Sequence, residues 1–270
     1  MRDPLLPQLA TIEEVIEEAP RIKTFRLKPE GFPPYKPGQF VMVSVFGEGE
    51  FPAALASTYG VHEFIEVTVR RMGRVTTALH RLSPGSQVGL RGPFGRGWTD
   101  FEIEGKGLVV VGGGIGLPPL RSLVNYALAN RGRFGEIFLL YGARAPEDMV
   151  YKTELNKWAS DGRVRVVLTV DKEHPGWAGR VGLVPNVLKE EGHLPPDPVA
   201  AVCGPPVMIR YTAQALLEMG LPPERILVSL ELKMQCGIGK CERCLIGPKH
   251  VCTDGPIFSW EEVLRLSPEI

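Results

Sequence analysis

Leu108-Val109-Val110-Val111-Gly112-Gly113-Gly114-Ile115-Gly116-Leu117-Pro118-Pro119 is the stretch on which the fold turns. Its continuous apolar run reads as a strand buried on both faces, the pattern of a parallel sheet. The glycines that follow make a tight turn. Pro118-Pro119 suit the first turn of a helix, where N–H groups need no intrahelical partner. A strand, a glycine turn and a helix in this order offer N–H groups and a positive helix end to a phosphate. Many tight turns use glycine, so this one gains its meaning from following the first parallel strand.

Downstream the pattern alternates. Strands are expected at 137–141, 164–170 and 200–203, and helices at 117–130, 152–160 and 206–218, which means a doubly wound parallel sheet. Upstream it differs. Short β-branched or aromatic runs at 22–27, 39–45, 64–70 and 87–91 are separated by Pro33-Pro34, Pro37-Gly38, Pro84-Gly85 and Gly92-Pro93, with one helix at 75–82. That is the signature of an antiparallel barrel. The expected architecture is an all-β barrel over 1–102, an α/β nucleotide domain over 103–225 and a small C-terminal module over 226–270.

The last module holds Cys236, Cys241, Cys244 and Cys252, four of the five cysteines, spaced C-x4-C-x2-C-x7-C. C-x4-C-x2-C opens the plant-type [2Fe–2S] loop, in which glycines such as Gly237 and Gly239 let N–H groups reach the sulfides. The rival is zinc. Four-cysteine zinc sites use two tight knuckles well separated in sequence, and here only Cys241 and Cys244 have that spacing.

The chain of 270 residues carries 31 basic and 31 acidic side chains, giving no net field to draw nucleic acid or an anionic membrane. No apolar run reaches the length of a membrane span, and the first residues lack the core of a signal peptide. A cytoplasmic location is expected, where clustered thiols bind metal rather than form disulfides.

Other features have a plain and a functional reading. Cys203-Gly204-Pro205-Pro206-x-Met208 ends a parallel strand, where ligands bind; a lone cysteine there is equally a small buried hydrophobe. Gly73-Arg74-Val75-Thr76 offers N–H groups, a hydroxyl and a cation to a pyrophosphate, or an ordinary helix cap. His62, His80, His174, His193 and His250 form no ligand grouping and read as surface or structural. Glu13-Glu14, Glu17-Glu18 and Glu190-Glu191 read as solvated faces.

In their order these motifs resemble the ferredoxin–NADP reductase superfamily. Within it the chain is most similar to the gamma, electron-transfer subunits of NAD(P)-linked hydrogenases and sulfhydrogenases, and of anaerobic sulfite reductase. The likeness rests on Val69-Arg70-Arg71-x-Gly73-x-Val75-Thr76, Gly92-Pro93-Phe94-Gly95, Gly113-Gly114-Ile115-Gly116-Leu117-x-Pro119-Leu120-Arg121 and Tyr141-Gly142-Ala143-Arg144-x-Pro146-Glu147-Asp148. It extends through the Cys203 motif, Cys236-Gly237-Ile238-Gly239-Lys240-Cys241 and Val251-Cys252-x-Asp254-Gly255-Pro256-x-Phe258.

The resemblance implies FAD in the barrel, NAD(P)H on the sheet and a [2Fe–2S] cluster on Cys236, Cys241, Cys244 and Cys252. It implies Pro52, Ala54, Leu55, Ala56, Ser57, Val69 and Arg70 beside the flavin, with Gly73, Arg74, Val75 and Thr76 at its pyrophosphate. Gly113, Gly114, Ile115 and Gly116 would face the nicotinamide nucleotide's pyrophosphate, and Tyr141, Gly142 and Arg144 its adenosine ribose. Cys203 would stand near the nicotinamide as the catalytic candidate, among Gly204, Pro205 and Met208. Electrons would run between NAD(P)H and the iron–sulfur and catalytic subunits of a hydrogenase- or sulfur-reductase-like complex.

An electron-transfer subunit of dihydroorotate dehydrogenase shares this layout. A zinc-binding scaffold without flavin is the alternative of another class. One departure bears on it: Ala54 stands where the family carries a hydroxyl toward the flavin, an expected loss of about 0.5–1.5 kcal/mol of hydrogen bonding.

Overall fold

The computed structural model describes residues 3–57 and 63–267; the reading of His62 lies outside them. Six strands form the first sheet: β1 (Gln8–Ala19), β2 (Ile22–Pro29), β3 (Phe40–Val45), β4 (Gly49–Ala54), β5 (Ile65–Arg70) and β6 (Gln87–Phe94). They run in the order β4-β3-β6-β1-β2-β5, every pair antiparallel. Just beyond β4, Ala56 N–H donates to the Glu66 carbonyl of β5 at 2.9 Å, linking the two edges of the sheet. Phe25, Leu27, Val41, Val43, Leu55, Val67, Leu79 and Leu90 fill the interior. Helix α1 (Arg74–Leu79) lies between β5 and β6.

The second sheet comprises β7 (Gly107–Gly113), β8 (Ile137–Ala143), β9 (Arg165–Val170), β10 (Arg180–Val181), β11 (Pro198–Cys203) and β12 (Ile226–Ser229). Between and around these strands run α2 (Leu117–Ala129), α3 (Lys152–Asp161), α4 (Val184–Glu191) and α5 (Pro206–Glu218). The C-terminal segment adds a short hairpin, β13 (Leu245–Ile246) and β14 (Lys249–His250), then β15 (Ile257–Ser259) and α6 (Trp260–Leu266). The order is β10-β9-β8-β7-β11-β12-β15, parallel except for β15.

The buried run in β7 explains the two layers. Leu108 and Val110 pack with Leu117, Leu120, Leu123 and Trp158 on one face. Val109 and Val111 pack with Val187, Leu188, Ile209 and Leu216 on the other. Alternate side chains of one strand thus serve helices on both sides.

Several features depart from the sequence expectations, among them β4 (Gly49–Ala54), for which the sequence carries no strand signal. Strand β1 was read only as acidic, solvated faces. Two register shifts distort its alternation, and Glu18 is half-buried, accepting from Tyr151 N–H at 2.8 Å. The α/β sheet does not stop at residue 225, because β12 pairs with β11 and β15 pairs with β12. Helix α4 was not expected, its core face resting on only Val184, Val187 and Leu188. No helix among the described residues is long and apolar enough to cross a membrane.

Candidate active site and cofactor loops

Strand order locates the crevice. From β7 the chain winds to β8 on one side, and β11 fills the other, so β7 and β11 flank the topological switch point, where open α/β sheets bind ligands. Cys203 and Gly112 are register partners at its edge.

The separate sequence motifs meet here. A Cβ on Gly116 would overlap the Cys203 carbonyl and come within 2.6 Å of Gly204 N. One on Gly113 would overlap Met208 Sδ and lie 3.3 Å from Pro205 Cδ. Only backbone fits between these two loops. Gly114 instead has a left-handed φ of +52° and open space where a side chain would project, which suits close approach of a pyrophosphate.

Cys203 is fully buried. Burial pushes its thiol far up, outweighing the Ser229 hydroxyl and Gly204 N–H that favour the thiolate. At neutral pH it is therefore a protonated thiol and not a nucleophile. Exposed Glu231 adds a smaller electrostatic push in the same direction.

Tyr141 does not turn outward to a ribose. Its ring is buried, and its hydroxyl donates to the Gly114 carbonyl at 3.0 Å while accepting from Val150 N–H at 3.3 Å. It braces the glycine turn from beneath. Arg144, one residue beyond β8, is exposed.

In the barrel, the Thr76 hydroxyl accepts from Met72 and Gly73 N–H at 2.9 and 3.0 Å, so it serves as a local helix cap. Around it Arg70, Arg71, Gly73 and Arg74 are exposed, and a Cβ on Gly73 would meet nothing within 4 Å. The Arg74 guanidinium donates to the Glu48 carbonyl and pairs with its carboxylate at 3.3 Å, so the open Gly73 backbone beside exposed Arg70 and Arg71 is the surface that suits a pyrophosphate. Leu55, Ala56 and Ser57 are buried, and the Ser57 hydroxyl accepts from Glu66 N–H at 2.5 Å. Their side chains thus build the barrel wall, while Pro52 and Ala54 are half-exposed.

The four clustered thiols are free and stand in two pairs. Cys236 interacts with Cys241, and Cys252 with Cys244. Among the described residues no three such ligands converge on one ion position. Four free thiols with loop N–H groups aimed at their sulfurs are a donor set that fits an iron–sulfur cluster. Ile238 and Lys240 N–H groups donate to Cys236 Sγ at 3.4 and 3.3 Å, and Gly239 N–H to Cys252 Sγ at 3.2 Å. Gly237 and Gly239 make this possible at φ of +75° and +72°.

Burial works to raise Cys236, but the Ile238, Lys240 and Cys241 N–H groups outweigh it and bring the thiol to about 6. Burial and the neighbouring Cys244 push Cys252 up to about 12.

Sequence reasoning missed two buried cations. Arg121 lies between Ala56, Glu66 and Glu154, with its guanidinium 4.7 Å from the Tyr151 ring centre. Arg91 reaches from β6 to the cysteine loop. Arg121 had a signal: it is the lone charged residue of the apolar helix Leu117–Ala129, and a buried charge requires partners.

A flavin- and nicotinamide-linked oxidoreductase of the ferredoxin–NADP reductase fold class is what this arrangement defines. Residues 110–214 match the oxidoreductase NAD-binding domain family, and residues 231–264 match the iron–sulfur cluster binding domain of dihydroorotate dehydrogenase B. The chain is 37% identical to sulfhydrogenase 2 subunit gamma of Pyrococcus furiosus, over 94% of its own length and 95% of the relative's. It is 36% identical to a probable dihydroorotate dehydrogenase B electron transfer subunit of the same organism, over 94% and 91%. Among solved structures, the NADH-dependent reduced ferredoxin-NADP oxidoreductase described for flavin-based electron bifurcation superposes with a TM-score of 0.75 at 25% identity. That match covers 100% of this chain and 95% of the other.

The chain belongs to the family of electron-transfer subunits that includes these sulfhydrogenase gamma and dihydroorotate dehydrogenase proteins. FAD, NAD(P)H and an iron–sulfur cluster are its cofactors.

Proposed function

We propose that the chain is the diaphorase-type subunit of a larger complex, working between NAD(P)H and a partner subunit of the hydrogenase or sulfur-reductase type. In this reading the N–H groups of Gly113–Gly116 hold the dinucleotide's pyrophosphate, and Gly73 with Arg70 and Arg71 holds that of the flavin. The protonated Cys203 borders the nicotinamide and keeps water from it, with Pro205 and Met208 as the adjoining wall. Exposed Arg144 is the group available to a 2′-phosphate, and the kcat/KM ratio for NADPH against NADH in Arg144→Gln reads this. Bound flavin supplies the exchange between two-electron nicotinamide and one-electron iron–sulfur chemistry.

The observation that carries the reading is the seat of the cysteine loop. A Cβ on Gly237 would lie 3.1 Å from Phe94 and 3.3 Å from Met42, both barrel residues. The loop whose thiols would hold the one-electron cluster therefore packs on the domain that would hold the flavin. Cys236 also lines a surface groove with Leu5, Pro7 and Phe46, a path outward to a partner. Five unpaired thiols suit a reducing compartment, so we place the protein in the cytoplasm.

The two relatives named as sulfhydrogenase gamma subunits, at 37% and 38% identity, support the hydrogenase type. The match of residues 231–264 supports dihydroorotate dehydrogenase as a second reading. Anaerobic purification tests both. The expected product is a yellow-brown protein with iron and sulfide that reduces dyes with NAD(P)H and has no hydrogenase activity alone. Zinc without iron, or a colourless protein after anaerobic reconstitution, overturns the proposal. Association with a dihydroorotate-oxidising subunit selects the second reading.

A further inference from the structure

The barrel sends one buried cation into the cysteine loop. Arg91, on β6, is 5% exposed. Its Nε and Nη2 grip Glu50 at 2.8 and 2.6 Å. Its Nη1 donates to the carbonyl of Cys236 at 2.8 Å and to that of Pro4 at 3.0 Å, and Nη2 also reaches the Gln235 carbonyl at 3.4 Å. Glu50, on β4, receives the Ser44 hydroxyl at 2.7 Å as well. A pair that merely joined barrel strands would need only the Arg91–Glu50 fork. Beyond that fork, Arg91 also donates to the carbonyl of Cys236, a cysteine expected to ligate iron, to that of its neighbour Gln235, and to that of Pro4.

We propose that Arg91 and Glu50 are positioning residues for the cluster, Arg91 seating the Cys236 loop on the barrel and the two charges together setting the cluster's reduction potential. This rests on the reading of the four cysteines as cluster ligands. Four thiolates make such a cluster negative, and reduction adds one more negative charge. A nearby guanidinium favours the reduced state, and a carboxylate opposes it. The bidentate pair leaves each charge partly compensated, so removing either one uncovers the other.

The geometry also predicts what lysine would do. An ammonium keeps the charge but lacks the planar fork that serves Glu50 and the loop carbonyls together. Arg91→Lys should hold the potential near that of the parent and loosen the loop.

The test is anaerobic redox titration of the whole chain, followed by electron paramagnetic resonance, for the parent, Arg91→Met, Arg91→Lys and Glu50→Gln. Iron and sulfide are assayed first; a parent without iron sinks the ligand reading itself. With the cluster present, Arg91→Met should shift the midpoint potential negative and Glu50→Gln positive. Opposite signs are what a purely structural pair would not produce, since loosening moves both variants the same way. Failure of Arg91→Met to retain its cluster, with retention by Arg91→Lys, supports the seat, and the sign for Glu50→Gln then decides the electrostatic part. Potentials unchanged in both variants at full iron content, or shifts of the same sign, overturn the proposal.

Discussion

The Arg121 guanidinium donates to the carbonyl of Ala56 at 2.6 Å, joining the helix that follows the glycine turn to the barrel stretch expected beside the flavin. The same Nη1 reaches Glu66 Oε2 at 2.6 Å, and Nε pairs with Glu154. Glu66 in turn fixes the Ala56–Ser57 stretch through its own backbone, donating to Ser57 Oγ and accepting from Ala56 N–H. One cation thus ties the helix that follows the glycine turn to the Ala56–Ser57 stretch of the barrel. Removing one partner of a buried ion pair costs about 3–5 kcal/mol, so Arg121→Met should lower the unfolding free energy by about that much. Arg121→Lys keeps the charge but loses the fork, and should weaken FAD retention and raise the KM for NAD(P)H with a milder stability loss. Urea unfolding and flavin fluorescence titration check both; wild-type flavin affinity in Arg121→Lys would refute the coupling.

What the sequence made legible follows from physics that local pattern records. β7 was readable because both its faces are buried, and the cysteine loop because its spacing is chemical. Strand β4 was not, because Gly49–Ala54 holds Pro52 and small residues and lies at a sheet edge, where proline is tolerated. β1 was hidden by its glutamates, one of which, Glu18, serves Tyr151 on the far domain. The convergence of Gly116 on Cys203 spans the whole β7–β11 crossover, and no local pattern records it. Tyr141 sits in a motif whose family reading points to a ribose, yet its environment buries it. Arg91 and Arg121 were legible only as unexplained charges, because their partners lie far away in the chain.

Gly116 tests the crevice. Its φ of −77° is ordinary for any residue, so a side chain there meets a purely steric limit. The obstacle is the backbone of Cys203 and Gly204, which has no rotamer to yield. Overpacking of this kind costs about 1–3 kcal/mol. Gly116→Ala should therefore lower the thermal midpoint and weaken dinucleotide binding. Gly132→Ala, where nothing lies within 4 Å of the new Cβ, should be neutral or slightly stabilising. Equal midpoints for the two variants would remove the packing argument.

Thiol reactivity in the metal-free chain should be ordered. Alkylation proceeds through the thiolate. Cys236, held near 6 by N–H groups that overcome its burial, should react first with iodoacetamide at pH 7. Cys252, raised to about 12, should lag far behind, and buried Cys203 should remain unlabelled until the chain unfolds. Peptide mass spectrometry over a time course reads the order. Early labelling of Cys203 would show that the β7–β11 crevice is open to the reagent and that its thiol is ionised.

His80 gives the barrel a dependence on pH. It caps α1, and its Nε2 donates to the Val69 carbonyl at 2.8 Å, next to β5's exposed Arg70. Burial lowers its pKa; the Val69 carbonyl works in the other direction, while Lys23 and Arg71 add to the lowering and Glu17 opposes it. The fold thus prefers the neutral ring. An unfolded histidine titrates near 6.5, so the contribution of His80 is complete above about pH 6.5. It is lost as pH falls through that value and levels off below the folded pKa, because the unfolded chain binds the proton first. The thermal midpoint should therefore decline from about pH 7 toward 5. His80→Gln retains an N–H donor for Val69 and cannot titrate, so its decline over that window should be shallower. An identical slope in parent and variant would assign the acid sensitivity to other groups.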